Sequence, residues 1–430
     1  MSSRVVLFTG KGGVGKTTSA AATAVLAARA GARTLVVSTD PAHSLADALA
    51  IPVGAQPTPV VDGLHAQQVD PQARYEQYWG TLRDYLTAVL RHGGLSGVAA
   101  EELVVPPGLD DLFALFAVHE EARSGRWDTV VVDCAPTAET LRLLTLPDVL
   151  GWYTDRLAPL HRRLSGVARP VLGRELHMLI PDDGVLAAVQ RLQATLADVR
   201  ELLTDHPDAL GPHGAERAGP DSPTSTVRLV LTPEAVVLAE ARRTFTALSL
   251  HGFVVDGVVV NRVIPDGDDP WRAGWAAAQR ERLAEAAESF AGVRLRTAPY
   301  LASEPVGVDA LASLGAALYG DDDPVAAVPV EPPLRLQDNT VLSVALPLAS
   351  RSEVALSRVG DELILTVAGR RRLLALPAVL RRRRVAGATL RDGRLEVRFG
   401  EPDGGGGPEA ASAAPQAAAP VAPVAPVGQP

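Results

Sequence analysis

The sequence predicts an α/β protein: a doubly wound, mostly parallel sheet with a helical insertion, followed by a small all-β sandwich and a disordered tail. Up to about residue 320, apolar runs typical of buried strands alternate with helical patterns, as they do in parallel sheets. A glycine-rich turn joins the first strand to the first helix. After a Pro-rich stretch at 321–333 the hydrophobic period changes to two, which indicates antiparallel strands.

These changes of pattern divide the 430-residue chain into four parts. We expect a domain at 1–320, a linker at 321–333, a β-sandwich at 334–400 and a disordered Gly/Ala/Pro-rich tail at 401–430. Helical patterns within the first part predict insertions at about 75–123 and 151–206.

The composition narrows the class of protein. A net charge of −9 and a pI near 5.5 argue against nucleic acid as a partner. Cys134 is the one cysteine, which excludes an internal disulfide and a cysteine-pair metal site, and its apolar surroundings indicate a buried, inert thiol. The N-terminus lacks a secretory signal, and no apolar stretch approaches the roughly 20 residues that span a bilayer. We therefore expect a cytoplasmic protein without a transmembrane segment.

Residues 10–18 read Gly-Lys-Gly-Gly-Val-Gly-Lys-Thr-Thr, between an apolar strand at Val5–Phe8 and an Ala-rich helix at Ser19–Ala30. This is the pattern of a phosphate-binding loop, in which backbone N–H groups and a helix N-terminus bind phosphate oxygens. Lys16 is predicted to reach the β- and γ-phosphates, and the Thr17 hydroxyl is predicted to ligate Mg²⁺. The predicted nucleotide-binding residues of this loop are Gly10, Lys11, Gly12, Gly13, Val14, Gly15, Lys16, Thr17 and Thr18.

Lysine occurs at only two positions in the chain, Lys11 and Lys16, and both lie in this loop. Lysine is a compact charge and arginine is a planar fork, so the two are not interchangeable against a phosphate held by backbone amides. Lys16 fits the standard position of the motif, and Lys11 therefore requires a separate role.

Two further apolar strands end beside acidic residues. Thr34–Ser38 is followed by Asp40, at the edge of the sheet where doubly wound folds bind ligands. Asp40 is equally suited to cap the next helix, and His43 alone fits a structural role. The strand at 128–133 ends in Asp133, the Walker B pattern, in which the carboxylate helps to hold Mg²⁺ through water.

The remaining elements of the first domain follow the same alternation. Residues 53–70 are expected to form a loop that includes at most an edge strand, and 206–226 form a polar loop. Asn261, at a strand end, has an amide that suits either a purine edge or a turn. Strands are predicted at Val227–Leu231, Gly257–Val260 and Arg294–Tyr300, and helices at Leu141–Leu146, Glu234–Leu248, Trp271–Phe290 and Val306–Tyr319.

The region 334–400 has the short alternating strands of an all-β domain, and Asp392-Gly393 is a hairpin signal. Its 13 arginines and six acidic residues give a charge of +7, which leaves −16 for the rest of the chain. The arginine run at 381–384 suits an acidic partner, a solvated loop or docking onto the acidic part of the chain itself. The predicted strands are Val341–Leu346, Glu353–Val359, Glu362–Val367, Arg371–Leu376, Ala388–Arg391 and Leu395–Phe399.

Four motifs together resemble the arsenical-pump and tail-anchored-protein-targeting ATPases, which are signature-lysine phosphate-loop proteins. The motifs are Lys11–Thr18, Ser38–Leu45, Asp133–Leu144 and Val258–Arg262. The first is shared with chromosome-partition and septum-site ATPases, and the next two are specific to the arsenical-pump group. The resemblance covers about three quarters of the chain. It implies a homodimeric enzyme that hydrolyses ATP with Mg²⁺.

The resemblance also implies roles for individual residues. Lys11 corresponds to the signature lysine, which crosses a dimer interface to the partner's nucleotide. Asp40 corresponds to the carboxylate that orients the attacking water, and Asp133 to a residue coupled to Mg²⁺. With Lys16, the implied catalytic residues are therefore Asp40 and Lys11. The other matches are to positions that contact the nucleotide: Glu234, Asn261 on adenine, and Pro299, Tyr300 and Leu301 against the base.

The chain also departs from this family pattern. Ala138-Glu139 stands where the family has Gly-His, which affects how the nucleotide state is reported rather than hydrolysis itself. The arsenite-binding cysteines of the pump branch and the zinc-binding pair of the targeting branch have no counterpart. The targeting branch has a methionine-rich groove, whereas Met178 is the one internal methionine here.

The C-terminal region resembles a small heat-shock protein (α-crystallin) domain through Val344–Pro347, Gly360–Leu363, Leu376-Pro377 and Gly387–Phe399. The alternative is another small β-sandwich that serves for docking. Together these features predict an ATPase that acts as a nucleotide-driven switch, binding and releasing a protein client or a membrane-protein partner. One alternative is a subunit of an anion or metalloid pump, which the cysteine count disfavours. The other is a chaperone-like adaptor in which ATP binding is a slow structural switch.

Overall fold

A computed structural model describes residues 3–40, 44–70, 79–81, 83–85, 87, 109–134, 183–204, 224–327 and 329–402. Strands and helices alternate through the first part of the described chain. In order, these elements are β1 (Arg4–Thr9), α1 (Lys16–Arg29), β2 (Thr34–Ser38), α2 (Ser44–Leu49), β3 (Thr58–Val61), β4 (Leu64–Gln68), α3 (Leu109–Arg123), β5 (Thr129–Asp133), α4 (Asp183–Thr204), β6 (Ser225–Leu231), α5 (Ala235–His251), β7 (Val255–Val263), α6 (Pro270–Ser289), β8 (Arg294–Pro299) and α7 (Val308–Tyr319).

These strands form one sheet in the order β3-β4-β2-β5-β1-β6-β7-β8. Neighbouring strands are parallel, except that β3 is an antiparallel edge strand beside β4. The central strands are Val- and Leu-rich and buried, as expected of a sheet covered on both faces. The predicted doubly wound, mostly parallel fold is therefore confirmed. The region 53–70 contains two strands instead of a loop with a single edge strand, because β4 pairs with β2 as well as with β3.

Small residues allow the helices to approach this sheet closely. Helix α1 is Ala-rich and packs against β5, β2 and α7. Gly315 in α7 faces α1, and a Cβ atom there would lie 2.7 Å from Cγ of Leu26. The hydroxyls of Thr23 and Tyr319 also meet between the two helices at 2.7 Å. Helices α5 and α6 pack together and both contact β7. The right-handed rule for crossovers between parallel strands predicts that they cover the face opposite α1.

The strand order reverses at β1, since the chain first moves from β1 toward β2 and later continues from β6 to β7 and β8. In the register of these strands, Phe8 and Ser38 both lie beside Asp133. The ends of β1, β2 and β5 therefore meet at one edge of the sheet. In doubly wound folds this reversal point is where ligands bind.

A buried ionic network lies at the opposite edge of the sheet. The carboxylate of Asp256 accepts hydrogen bonds from Arg4 at 3.0 Å and from Arg228 at 3.2 Å. Arg228 also donates to the carbonyl oxygen of Pro324 at 2.6 Å, and Arg4 donates to that of Val325 at 3.2 Å. Residues near the beginning of the predicted linker are therefore fastened to the start of β1 and to the middle of β6.

The C-terminal part forms two antiparallel sheets, of order β14-β15-β10-β9 and β11-β12-β13, around a core of Leu and Val side chains. This agrees with the predicted small all-β sandwich. Strand β9, which is only four residues long, was not predicted. The elements are β9 (Leu334–Gln337), β10 (Val341–Ala345), β11 (Val354–Val359), β12 (Glu362–Val367), β13 (Arg370–Ala375), α8 (Ala378–Arg381), β14 (Arg383–Arg391) and β15 (Arg394–Pro402).

Two local predictions for the C-terminal part, the hairpin at Asp392-Gly393 and the arginine run at 381–384, can be compared with the structure. Asp392 and Gly393 have φ angles of 49° and 69°, as a two-residue hairpin turn requires, so the predicted hairpin is confirmed. The arginine run at 381–384 is largely exposed, as the solvated alternative predicted, but it is not a loop, since it spans the end of α8 and the start of β14. The Arg358 guanidinium donates to the carbonyl oxygens of Arg381 and Arg383 in this run.

The two sheets of the C-terminal part dock on helix α5. Leu250 of α5 is buried in their core, and the buried Arg372 of β13 donates to its carbonyl oxygen. Thr246 donates to the carbonyl oxygen of Pro347 at 2.6 Å, and Arg370 donates to that of Arg243 at 3.0 Å. The C-terminal half of α5 is therefore shared between both parts of the protein.

Several predicted features lie outside the described residues. They are much of both helical insertions, the helix at 141–146, His43, Ala138, Glu139, Met178, most of the loop at 206–226 and the tail from residue 403. Helices α3 and α4 are described parts of the two insertions. Among the described helices, none has the length and apolar character needed to cross a membrane.

A pH dependence follows from His251 at the end of α5. Burial, reinforced by the charges of Arg372, Arg370 and Arg200, lowers the pKa of His251 to about 4. Between the ordinary histidine pKa and this value, the unfolded chain binds a proton that the folded protein does not. We therefore expect the free energy of unfolding to decrease by about 3 kcal/mol as the pH falls through this window. His251→Gln should remove this decrease, as measured by urea unfolding at a series of pH values. Equal pH dependence in the variant and the wild type would contradict the assignment.

Candidate nucleotide-binding site

The loop between β1 and α1 fits tightly against the neighbouring strands. A Cβ atom on Gly10 would overlap the carbonyl oxygen of Val230 in β6. Gly13 and Gly15 have φ angles of 81° and 94°, in the left-handed region that favours glycine. A Cβ atom on Gly15 would in addition overlap the side-chain amide of Asn261. The glycine pattern therefore reflects both backbone conformation and lack of space.

Lys16 and Thr17 begin helix α1, directly after the left-handed Gly15. Nζ of Lys16 lies 3.4 Å from the carbonyl oxygen of Lys11, so this side chain turns back over the loop. The Thr17 hydroxyl acts on the Asp133 carboxylate and lowers its pKa. The loop thus presents a lysine, a hydroxyl and the N-terminus of a helix together, which suits a bound phosphate.

Asp133 is the most deeply buried carboxylate of this site, with a relative exposure of 1%. Burial raises its pKa, and the charge of Asp40 adds to this effect. The Thr17 hydroxyl, the charge of Lys16 and a 3.3 Å hydrogen bond from Ser38 act in the opposite direction. A buried carboxylate paired with the loop hydroxyl offers the oxygen ligands that Mg²⁺ prefers. The side chains of Thr17 and Asp133 therefore fit this ion.

Asp40 is held in place by three contacts at the end of β2. Its backbone N–H donates to the Ser38 hydroxyl at 3.2 Å, and its carbonyl oxygen accepts from Gln68 at 2.6 Å. Its carboxylate accepts from the hydroxyl of Ser44, the first residue of α2, at 3.1 Å. The structure thus brings Asp40 within electrostatic reach of Asp133 while tying it to the next helix.

Asn261 lies beneath the loop at the end of β7. Its side-chain N–H donates to the carbonyl oxygen of Val14 at 2.9 Å, and its side-chain oxygen accepts from the backbone of Arg262 at 2.9 Å. Sequence reasoning missed Gln279 of α6, which accepts from the backbone of Ile264 at 2.7 Å and donates to the carbonyl oxygen of Arg262 at 3.3 Å. This buried glutamine fixes the segment that follows Asn261. The only sign of this role in the sequence is a glutamine at a position of α6 where the helical pattern predicts a buried side chain.

The other predicted contacts lie along the same edge of the sheet. Glu234 precedes α5 and accepts a hydrogen bond from Thr232 at 3.3 Å. Pro299 ends β8, next to β7, and the backbone of Tyr300 donates to the carbonyl oxygen of Val263 at 2.8 Å. The side chain of Tyr300 is 58% exposed, and Leu301 packs against the main core. These residues lie at or just after the carboxyl ends of β6 and β8.

Lys11 differs from Lys16 in its surroundings. Its side chain is 40% exposed, and its ammonium group lies 3.7 Å from a carboxylate oxygen of Glu240 in α5. The two lysines therefore point to different partners, one above the loop and one at the protein surface. Sequence reasoning predicted a separate role for Lys11 but gave no indication of Glu240.

The glycine-rich loop and Asp133 at the reversal point of a doubly wound sheet define a phosphate-loop nucleotide hydrolase. A family model of anion-transporting ATPases, ArsA_ATPase, matches residues 3–320, and a model of the HSP20-like domain found in ArsA matches residues 337–399. The chain belongs to this ATPase family, as the sequence motifs predicted. It is therefore an ATP hydrolase, with nucleotide binding assigned to its N-terminal part.

Similar proteins match over most of the chain. A putative arsenical pump-driving ATPase of Chlorobaculum tepidum is 34% identical over 403 residues, which is 92% of this chain and 96% of that protein. A protein called putative arsenical pump-driving ATPase 1 from Aquifex aeolicus is 31% identical over 88% of this chain and 95% of its own. The ATPase get3 of Schizosaccharomyces japonicus is 27% identical over 70% of this chain and 88% of its own.

The surroundings of the cysteine side chain are relevant to the binding of soft metals and metalloids. Cys134 is 4% exposed and lies in the main core, as predicted for a buried thiol. Among the residues that the structure describes, no group of three or more His, Cys, Asp or Glu side chains is arranged to hold a metal ion.

Asp133→Asn provides a test that separates function from stability. Because burial raises the Asp133 pKa, its ionised form is disfavoured in the folded protein, and above the raised pKa the charge destabilises the fold. We expect the variant to have a higher Tm without nucleotide and a turnover reduced by roughly 100-fold or more, the scale of losing one positioned charge. Thermal unfolding and ATP hydrolysis measure the two effects.

Asp128→Asn is the matched control. Hydrogen bonds from the exposed Arg33 lower the pKa of Asp128, so its ionised form is favoured in the folded protein. Its substitution should not raise the Tm and should leave turnover unchanged. A Tm of Asp133→Asn below that of the wild type would contradict the proposed effect of burial.

Proposed function

We propose that the protein is a Mg²⁺-dependent ATPase that works as a homodimeric switch, binding and releasing a protein client or a membrane-protein partner. The observation that carries this proposal is the separation of the two lysines. Lys16 turns back over its own loop, whereas Lys11 extends to the surface. A second lysine at the surface of a phosphate loop can act on the phosphates of a facing subunit.

The proposed chemistry depends on positioning and charge. Lys16 and the loop backbone bind the phosphates, and Asp40 orients the attacking water beside the γ-phosphate. Thr17 and Asp133 would hold Mg²⁺, Asp133 through water, and the ion would supply positive charge opposite the phosphate oxygens. Lys11 from the facing subunit stabilises the charge of the transition state, as an arginine finger does.

We propose that the base of the nucleotide binds at the same edge of the sheet as the phosphate loop. We assign it to the space between Asn261 and the segment Pro299–Leu301, with Glu234 at the start of α5. Asn261 uses one N–H and one lone pair of its amide for the backbone, and the amide has a second N–H and a second lone pair that suit the edge of adenine. Tyr300, with its exposed ring, supplies an apolar face for the base.

The proposal couples catalysis to dimer closure. ATP favours the closed dimer, because only that state gives Lys11 a phosphate partner. Hydrolysis removes this contact and allows the interface to open. The C-terminal sheets dock on α5, so a client bound there would be linked to the nucleotide state. We also propose that the domain boundaries are those predicted: 1–320, 334–400 and a linker at 321–333.

Complementation between two inactive variants tests action in trans. Lys11→Ala and Asp40→Asn should each abolish most turnover. In a mixed dimer, one site keeps its own Asp40 and receives Lys11 from its partner. At equal amounts half of the dimers are mixed, and each has one complete site, so about a quarter of wild-type activity should return. No recovery after verified subunit exchange would show that Lys11 does not act in trans.

Arsenite tests the alternative of a metalloid-pump subunit. Tight binding of arsenite requires several thiolates, and Cys134 is single and buried. We expect arsenite at micromolar concentration to leave both the ATPase rate and the Tm unchanged, and Cys134→Ser to behave as the wild type does. Saturable activation by arsenite in the wild type would favour the pump alternative over the client switch.

A further inference from the structure

Helix α5 connects Lys11 to the C-terminal sheets. Near its N-terminal end, Glu240 lies 3.7 Å from the Lys11 ammonium group. Three residues later Arg243 accepts the hydrogen bond from Arg370, and Thr246 and Leu250 complete the contact with the β-sheets. Glu240 and Leu250 are ten residues apart, or about 15 Å along the helix axis. A single rigid element therefore carries both contacts.

We propose that Glu240 is a positioning residue that holds Lys11 on its own subunit, and that the docked C-terminal sheets keep Glu240 in place. The inference rests on the proposed trans role of Lys11. A lysine paired with Glu240 is not free to reach the phosphates of a facing subunit. The ion pair and the trans contact therefore compete for one ammonium group, and Glu240 sets the ease of closure.

The strength of this ion pair suits a contact that must break in each cycle. Both side chains are about 40% exposed, at 40% and 41%. Exposed pairs are weak and salt-dependent, so Lys11 can leave Glu240 when a phosphate becomes available. The same weakness means that removing Glu240 should not disturb the fold.

Arg370 of β13 is the residue through which the C-terminal sheets act on α5 near Glu240. Its guanidinium donates to the carbonyl oxygen of Arg243, less than one helical turn from Glu240. Loss of this hydrogen bond would loosen α5 at the level of Glu240 and weaken its hold on Lys11. A partner that displaces the sheets from α5 would act in the same way, by releasing Lys11 for the facing subunit.

The test uses the full-length protein and ATP-dependent dimer formation, measured by sedimentation with Mg²⁺ and a non-hydrolysable ATP analogue. In Glu240→Gln the protein concentration at half-dimerisation should fall about two- to thirtyfold, the range expected when two exposed ion pairs, one in each subunit, no longer have to break. The difference from the wild type should shrink at high salt. Glu281→Gln removes an exposed carboxylate on α6 that pairs with Arg282, and should match the wild type.

A second pair of variants tests the coupling. Arg370→Ala should shift dimerisation in the same direction as Glu240→Gln, with no additional shift when the two are combined. Arg371→Ala changes the adjacent exposed arginine, which lies on the other face of β13, and should have no effect. A silent Arg370→Ala would overturn the role of the C-terminal sheets.

The outcomes distinguish this inference from the proposed function. If Lys11→Ala prevents ATP-dependent dimerisation and turnover while Glu240→Gln behaves as the wild type does, the trans role stands and the role of Glu240 is wrong. If Lys11→Ala retains wild-type turnover, both fail. Single-turnover rates with excess protein should increase in Glu240→Gln but not when Lys11→Ala is also present. An equal increase in both backgrounds would overturn the inference.

Discussion

The parallel pairing of β1 with β5 on one side and β6 on the other is the constraint on which the site depends. It places Phe8 beside Asp133 and brings the loop so close to Val230 that Gly10 has no room for a side chain. Since β7 follows β6, Asn261 arrives beneath the same loop. Residues far apart in the sequence therefore meet because β5, β1, β6 and β7 are parallel neighbours that end at the same edge of the sheet.

The negative charges of the carboxylates at this edge are compensated by neighbouring groups before any nucleotide binds. Asp133 is buried and close to the negative charge of Asp40, which would be unfavourable without Lys16 and the hydroxyls of Thr17 and Ser38. The loop supplies two of these compensating groups. Strand, loop and helix are thus coupled by charge as well as by packing, and the predicted site residues lie where a buried carboxylate has a perturbed pKa.

The parts of the structure that the sequence could predict have local signals. The loop has fixed spacing, the strands are continuous apolar runs, and Asp392-Gly393 marks its hairpin within two residues. Gln279, Glu240 and Arg370 have no such signal, because each acts through a contact with a distant segment. A charged or amide side chain on a helix or strand reads as solvent-facing until the fold shows what it packs against. Asp40 was predicted from its place at a strand end, and its carboxylate accepts a hydrogen bond from the Ser44 hydroxyl at the start of α2. Its part in binding a ligand stays a prediction.

The fastening of Pro324 and Val325 by Arg228 and Arg4 determines how far the C-terminal sheets can travel. Eight residues separate Val325 from Leu334, so an extended chain would let the first strand move by no more than about 30 Å. Release from α5 therefore leaves the sheets at a high effective concentration around their docking surface. Re-docking is an intramolecular step whose rate does not depend on protein concentration. A client that binds the docking surface on α5 must therefore compete with the C-terminal sheets of the same chain. A shorter or longer linker would change the effective concentration of these sheets, and with it the apparent affinity for the client, without altering any contact.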